Sequence, residues 1–435
     1  MAEPAVSVAG AVRPDGAAAG RSSPSRFAGL RHHPDFLKLW AGQTISLFGS
    51  QVTVLALPLA AVLAFGASAA EMGVLTALQF APALAVGLFA GVWVDRLRRR
   101  PVLIVADVGR AALLVTIPAA AFLGLLRIEL LYAIAFGKGA LDVLSDVARG
   151  SFLPSLVRRE QLAEANGKLA MSRSVASVAG PGLGGALVQL LTAPVAMAVD
   201  AISFIVSALC LGIIRAPEAA PAPPAQGRRM WAEIKEGLGV VLGNPLLRIP
   251  AGAAAILNLF AAWVTAIEIL YFTRELRLEP AVLGTVLTAG SFTAPVGAAL
   301  SARAAKRFGL GPTMIGAMLT FCAAHLPVAL AAGPPLLVAL SLLVAIALVR
   351  FITPIYEVNS ATLQQAVTPH RLLGRVGASA RFVIHGPVPI GALLGGAVGT
   401  AIGLRPAFAL AVLGQFLAVL WLFLSPVRRL REPPP

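Results

Sequence analysis

Four charged side chains recur at helical spacing within one otherwise apolar segment, residues 130–149. Lys138, Asp142, Asp146 and Arg149 are separated by 4, 4 and 3 residues, so a helix would place all four on one stripe. Asp142 then has a cation one turn before it and an acid one turn after it, and these neighbours act on its protonation in opposite directions. Such a balance is typical of a carboxylate that loads and releases a proton. The pattern predicts a proton-exchange site at Asp142, tuned by Lys138 and bordered by Asp146; a permanent ladder of ion pairs explains the same spacing.

A second acid, Glu268, lies about one turn from the end of the apolar segment 249–272, and its own helix offers no nearby cation. It is a candidate for binding a proton or a cationic ligand; a side chain that extends to the membrane interface is the alternative. Asp107 and Arg110 are three residues apart and predict a local ion pair. The histidines and the two cysteines show no metal-ligand spacing, so we expect no metal and no cofactor.

The composition shows what must position these charges. Hydrophobic residues make up 58% of the 435-residue chain and charged residues only 13%, with a mean hydropathy of +0.83. Soluble proteins carry about 25% charged residues, so most of this chain must face lipid. The net charge of +15 comes from short basic groups between apolar runs, and aromatic residues are 6%. This is not the footprint of a nucleic-acid-binding protein.

Windows of about 20 apolar residues predict membrane-spanning helices. Twelve such windows are present: 41–65, 72–94, 102–125, 130–149, 166–190, 194–214, 249–272, 281–301, 312–332, 335–357, 376–400 and 404–425. With a cytoplasmic N-terminus, roughly 26 Lys and Arg lie on the inner side and about four on the outer side, a strong positive-inside bias. We therefore expect a multi-pass protein of the bacterial inner membrane with both termini in the cytoplasm, and a monomer. The early arginines precede no apolar core, so the N-terminus is no secretory signal.

The spans fall into two groups of six. The predicted division is a disordered tail (1–35), a first six-helix half (36–215), a cytoplasmic linker with an amphipathic helix (216–245), a second six-helix half (246–426) and a short tail (427–435). In both halves a polar stretch follows the fourth span and precedes a Gly-rich fifth span. This repetition predicts an all-α membrane protein built from two parallel six-helix repeats, an architecture used by secondary transporters.

The connection between the second and third spans reads "GVWVDRLRRR". It resembles the signature of the major facilitator superfamily at this position, G-x-x-x-D-R-x-G-R-R, which is matched by Gly91, Asp95, Arg96, Arg99 and Arg100. Arg98 stands where the signature has its second glycine. The resemblance implies a cytoplasmic gate in which the aspartate binds the N-terminus of the eleventh span, near 374–375. Arg149 is a second candidate partner for Asp95, and an incidental acid in a basic loop is the alternative.

The fifth span contains "SVAGPGLGGAL". No strand precedes it, which excludes a dinucleotide-binding loop. Gly180, Pro181, Gly184 and Gly185 instead resemble the antiporter motif of drug:proton exporters. Small residues favour close helix packing in membranes in general, which is the competing explanation.

Longer stretches resemble one branch of this superfamily, the drug:proton antiporter-3 family of macrolide-efflux and siderophore exporters. They include "LWAGQTISLFGSQVTVLALPL", "DVARGSFLPSLV" and "VDAISFIVSAL", where Asp200 is predicted to be structural. The resemblance implies a twelve-helix transporter that exports a hydrophobic small molecule by proton antiport and alternating access, with protons and the bilayer as its other partners. A proton-coupled importer or facilitator is the alternative, and a non-transporting receptor or enzyme is a further one.

Overall fold

The computed structural model describes residue 30 and residues 33–86, 97–216, 218 and 230–432, with residues 230–234 and 370 described by their backbone alone. Among these residues, six helices form the first half: α1 Pro34–Phe65, α2 Ala69–Ala85, α3 Arg99–Phe122, α4 Ile128–Leu156, α5 Leu162–Leu191 and α6 Ala193–Gly212. The linker region contributes α7 Met230–Gly243. The second half contains α8 Pro245–Leu270, α9 Pro280–Ser291, α10 Ala294–Phe308, α11 Leu310–Ala329, α12 Pro335–Val367, α13 Leu373–His385, α14 Val388–Ile402 and α15 Leu404–Phe423.

These helices make twelve membrane crossings in the described part of the chain. Ten continuous helical segments are long and apolar enough to cross, with α9 and α10 forming one segment and α13 and α14 another. Helix α2 is apolar but shorter, and α4 has 29 residues but carries the charged stripe that lowers its hydropathy. The predicted fold, two groups of six helices, is confirmed.

The ends of several spans differ from the prediction. The first span begins at Pro34, because His33 Nδ1 accepts from the Phe36 N–H at 3.1 Å and caps the helix despite the charges that follow. The eleventh span is interrupted after His385, where Pro387 lacks the N–H that would continue the helix. Helix α2 begins at a capping box, in which the Ser68 N–H donates to Glu71 Oε2 at 2.7 Å.

The apolar cores show how the two halves meet. We call the end of the bundle where α1 begins the termini side and the other end the opposite side. The largest core cluster contains residues from both halves, among them Leu57, Met72, Ile267 and Ala392, all toward the opposite side. Toward the termini side each half has clusters of its own. The halves are therefore packed together on the opposite side and have separate cores on the termini side.

The connection between the halves is attached to each of them. Glu218 accepts from the backbone N–H groups of Arg99 and Arg100 at the start of α3, the second at 3.2 Å. On the other half, Glu236 of α7 forms an ion pair with Arg375 of α13. Val241 of α7 is completely buried in a cluster with α8 and α13. The predicted amphipathic helix is thus α7, and its apolar side packs on the second half.

Candidate transport site

A central cavity of about 390 Å³ lies between the halves. Most of its wall is apolar and comes from helices of both halves, including Leu57, Leu75, Phe80, Ile269 and Leu287. Its polar groups include Gln51, Thr76, Gln79, Lys138, Asp142, Glu268 and Arg350. A concave site with apolar walls and a few converging polar groups is typical of small-molecule binding.

Asp142 is held by two cations in this cavity wall. Its Oδ2 lies 2.8 Å from Lys138 Nζ, and its Oδ1 lies 2.9 Å from Arg110 Nη1. Arg110 also pairs with Asp107 and donates to Ser145 Oγ at 3.1 Å. Two cations and two carboxylates therefore form a cluster between α3 and α4 with no net charge. The predicted local pair of Asp107 and Arg110 is confirmed, whereas the contact between Arg110 and Asp142 was not predicted.

The predicted stripe on α4 divides into two parts. Lys138 and Asp142 line the central cavity, while Asp146 is 75% exposed and pairs with Arg149 at 3.3 Å. Arg149 lies farther toward the termini side. There its Nε donates to the side-chain oxygen of Gln43 at 2.8 Å, with the Gln43 amide oriented so that its oxygen faces the arginine. The i,i+4 and i,i+3 pairs of the predicted ladder are present, and Ser145 Oγ connects them, since it accepts from Arg110 Nη2 at 3.1 Å and from Arg149 Nη2 at 3.2 Å.

Glu268 projects into the central cavity. Within the described residues its carboxylate has no hydrogen bond and no cation within ion-pair distance. Arg350 of α12 lines the same cavity and interacts with the carboxylate electrostatically from a longer distance. Arg350 likewise forms no ion pair among the described residues. Glu268 lines the space between the halves, which favours a binding role over a side chain that extends to the membrane interface. Arg350 lies within the predicted span 335–357, and no local pattern in the sequence relates it to Glu268.

Asp200 of α6 is fully buried beside α1. Its Oδ2 accepts from Thr53 Oγ1 at 2.5 Å, and its Oδ1 accepts from Ser203 Oγ at 3.0 Å. The carboxylate thus ties two neighbouring helices of the first half together, which is the geometry that the predicted structural role requires.

Glycine pairs bring the halves into contact on the opposite side. A Cβ on Gly185 of α5 would lie 2.5 Å from the Pro280 carbonyl oxygen and 2.9 Å from Gly284 Cα of α9. A Cβ on Gly73 of α2 would lie 2.9 Å from Gly396 Cα of α14. Since ordinary contacts begin at 3.4 Å, only glycine allows these backbones to approach so closely. Helices α5 and α9, and α2 and α14, are equivalent pairs in the two-repeat arrangement.

The remaining residues of the antiporter-like motif pack around this contact. Gly180 faces the Gln51 side chain and Gly184 faces the Val52 backbone, both on α1. The Pro181 carbonyl oxygen lies 2.5 Å from the position of a Cβ on Gly284. The motif therefore lies between α1 of its own half and α9 of the other half.

The predicted cytoplasmic gate is described only in part. Gly91, Asp95 and Arg96 lie outside the described residues. Arg99 and Arg100 begin α3, and the Arg100 side chain donates to the Leu211 carbonyl oxygen at 2.8 Å. Both arginines donate to Glu218 through their backbone N–H groups, and the Arg100 side chain binds its own half, so their part in a gate between the halves stays a prediction.

Twelve membrane crossings in the described part of the chain, arranged in two halves around a cavity closed on one side, define a multi-pass membrane transporter. A family model of the major facilitator superfamily matches residues 39–273. The multidrug efflux pump Tap of Mycolicibacterium fortuitum is 30% identical over 409 residues, covering 91% of this chain and 97% of that protein. The enterobactin exporter EntS of Escherichia coli O1:K1 / APEC is 26% identical over 422 residues, covering 93% and 95%.

The chain belongs to the major facilitator superfamily, and these relatives confirm the predicted drug- and siderophore-exporter branch. Among solved structures, a bacterial homologue of the iron transporter ferroportin in an inward-facing state superposes with a TM-score of 0.70 at 16% identity, covering 89% of this chain and 98% of that one. This likeness shows the fold alone.

Proposed function

We propose that the protein exports a hydrophobic small molecule from the cytoplasm by proton antiport and alternating access. Relatives named as efflux pumps support the direction. The excess of Lys and Arg on the termini side supports placing both termini in the cytoplasm of a bacterium. In that orientation the structure is an inward-facing state, in which the central cavity can load cargo from the cytoplasm or the inner leaflet.

The observation that carries the proposal is Glu268, an acid without an ion pair among the described residues in an apolar cavity between the halves. An acid in this position can bind a proton or a cationic cargo, but not both at once. This competition is the simplest basis for antiport, since each ligand is released when the other binds. Arg350 on the same cavity wall stabilises the deprotonated carboxylate electrostatically without forming an ion pair with it.

Asp142 has a different role in this proposal. Lys138 and Arg110 both contact it, so protonating Asp142 would leave Lys138 without its counter-charge in the membrane and Arg110 with Asp107 alone. We therefore assign the exchanged proton to Glu268. The cluster around Asp142 keeps α3 and α4 together and supplies charged groups to the cavity wall. Asp142 as the exchanging acid is the alternative that the experiment tests.

Transport under an imposed pH gradient distinguishes these roles. Purified protein in liposomes should move a fluorescent lipophilic cation toward the acidic compartment. Glu268→Gln should abolish the dependence on the gradient while cargo still moves down its own gradient. Glu279→Gln, an exposed glutamate at the start of α9, is the matched control and should behave as wild type.

Two results would contradict the proposal. Gradient-driven export that survives in Glu268→Gln and disappears in Asp142→Asn would move the proton to Asp142. Flux that accumulates cargo on the cytoplasmic side under the physiological gradient would identify an importer instead.

A further inference from the structure

A side chamber of about 260 Å³ opens from the central cavity into the second half. Thr265, Glu268 and Arg350 line both spaces and form the mouth of the chamber. Its walls are aromatic and aliphatic, and include Phe272, Phe321 and Phe408. The chamber is smaller than a complete drug-binding pocket, which occupies about 300–1,000 Å³. It therefore suits one part of a ligand whose remainder lies in the central cavity.

Gln415 of α15 lines this chamber with an unsatisfied amide. The residue is fully buried, and neither Nε2 nor Oε1 has a hydrogen-bond partner among the described residues. A buried amide without partners is costly, and such groups are rare in folded proteins. A ligand group that reaches this amide from the chamber would meet one donor group and one acceptor group.

His325 adds a second oriented polar group. Its Nδ1 lies 2.9 Å from the Phe321 carbonyl oxygen, which can only accept, so Nδ1 carries the proton. In the neutral ring Nε2 is then an acceptor. The chamber combines aromatic walls, a buried amide and an oriented imidazole, and Glu268 and Arg350 stand at its mouth with opposite charges.

We propose that this side chamber is a cargo subsite for flat aromatic ring systems that carry a carbonyl or hydroxyl group. The ring lies among the three phenylalanines and its polar group binds Gln415. A protonated amine on the same cargo reaches Glu268, and a carboxylate on it reaches Arg350. This inference rests on the proposed export function and names the class of cargo: planar amphiphilic amines, including zwitterions, with a polar ring substituent.

Two probes test the subsite in full-length protein in lipid nanodiscs. Norfloxacin has a flat bicyclic ring with a carbonyl, a protonated amine and a carboxylate. Tetraphenylphosphonium is a cation without any hydrogen-bonding group. Gln415→Leu should weaken norfloxacin binding about tenfold, the effect of removing one or two hydrogen bonds. It should leave tetraphenylphosphonium binding within about twofold, since only the amide is removed. Gln365→Leu, a glutamine exposed on α12, should change neither.

Thermal unfolding separates a binding role from a structural one. Replacing an unsatisfied buried amide with an apolar side chain should keep or raise the melting temperature. Gln415→Met, which preserves the unbranched length, provides the same test if the leucine variant does not fold.

The inference is overturned if wild-type protein does not bind norfloxacin, or if both probes are affected equally by the Gln415 variants. It is also overturned if the Gln415 variants change the binding of neither probe, since norfloxacin would then bind without contacting this amide. Failure of the export proposal is seen separately: wild-type liposomes would move neither probe under a pH gradient, whatever the binding results.

Discussion

The contact between α5 and α9 gives the sharpest prediction about alternating access. Replacing Gly185 by Ala adds a Cβ at 2.5 Å from the Pro280 carbonyl oxygen, whereas ordinary contact begins at 3.4 Å. The two backbones must therefore separate by about 0.9 Å, the difference between these distances. Because both contacting groups are helix backbone, no flexible side chain can move aside.

The cost follows from this overlap. Overpacking of a close contact costs typically about 1–3 kcal/mol. Alanine also favours the helix by about 0.5–1 kcal/mol, but that gain is present in both conformations and cancels in the equilibrium between them. Since about 1.4 kcal/mol is a factor of ten, the population closed on the opposite side should fall about fivefold to a hundredfold relative to the open one.

Distances between two spin labels measure this change. Labels at Leu123, directly after α3, and at Leu330, directly after α11, are both exposed on the opposite side and report opening there without touching either glycine contact. Cys210 and Cys322, the two native cysteines, are first replaced by serine. The Gly185→Ala variant should gain a longer-distance population, and proton-driven export should slow because the closed state is rarer.

A matched glycine tests the reasoning. A Cβ added at Gly316 of α11 would meet open space, with no atom within 4 Å, so Gly316→Ala should leave the distance distribution unchanged. If Gly185→Ala and Gly316→Ala give the same distribution as the parent protein, the glycine contact does not control closure on the opposite side.

Two further substitutions test the buried polar groups of the first half. Arg110→Met removes the cation shared by two carboxylates and should destabilise the protein by about 3–5 kcal/mol, which a lower melting temperature in detergent would show. The control Arg428→Met, at an exposed arginine, should not lower the melting temperature. Equal melting temperatures would mean that the cluster does not stabilise the fold. Thr53→Val removes the 2.5 Å hydrogen bond to Asp200 and should lower the free energy of unfolding by about 1.5–3 kcal/mol. Thr320→Val is the control, because the Thr320 hydroxyl bonds its own helix, and it should lower the free energy of unfolding clearly less. Equal losses of stability would mean that the hydrogen bond to the carboxylate contributes nothing specific.

Local patterns predicted much of this molecule. The number of spans and their grouping followed from apolar runs and the distribution of cations, because lipid imposes both on any chain. The pairs Asp107–Arg110 and Lys138–Asp142 followed from helical spacing, since both partners lie on one helix.

Contacts between helices were beyond the same reasoning. The approach of Arg110 to Asp142 depends on how α3 packs against α4, and no local spacing encodes that packing. Glu268 was identified as an unneutralised acid, but its direction into the cavity depends on the rotation of α8. Gln415 carried no signal at all, because an isolated glutamine in an apolar run reads as an ordinary buried residue. Its interest comes from the chamber that other helices of the second half build around it.

The attachments of the linker have a mechanical consequence. Glu218 is fixed to the start of α3, and α7 is fixed to α13 through Glu236. The twelve steps of chain from Glu218 to Met230 can extend to about 40 Å at most. While both attachments hold, the length of this linker limits the distance by which α3 of the first half and α7 on the second half can separate. Shortening the linker would restrict the movement of the two halves between conformations without altering any group that contacts cargo.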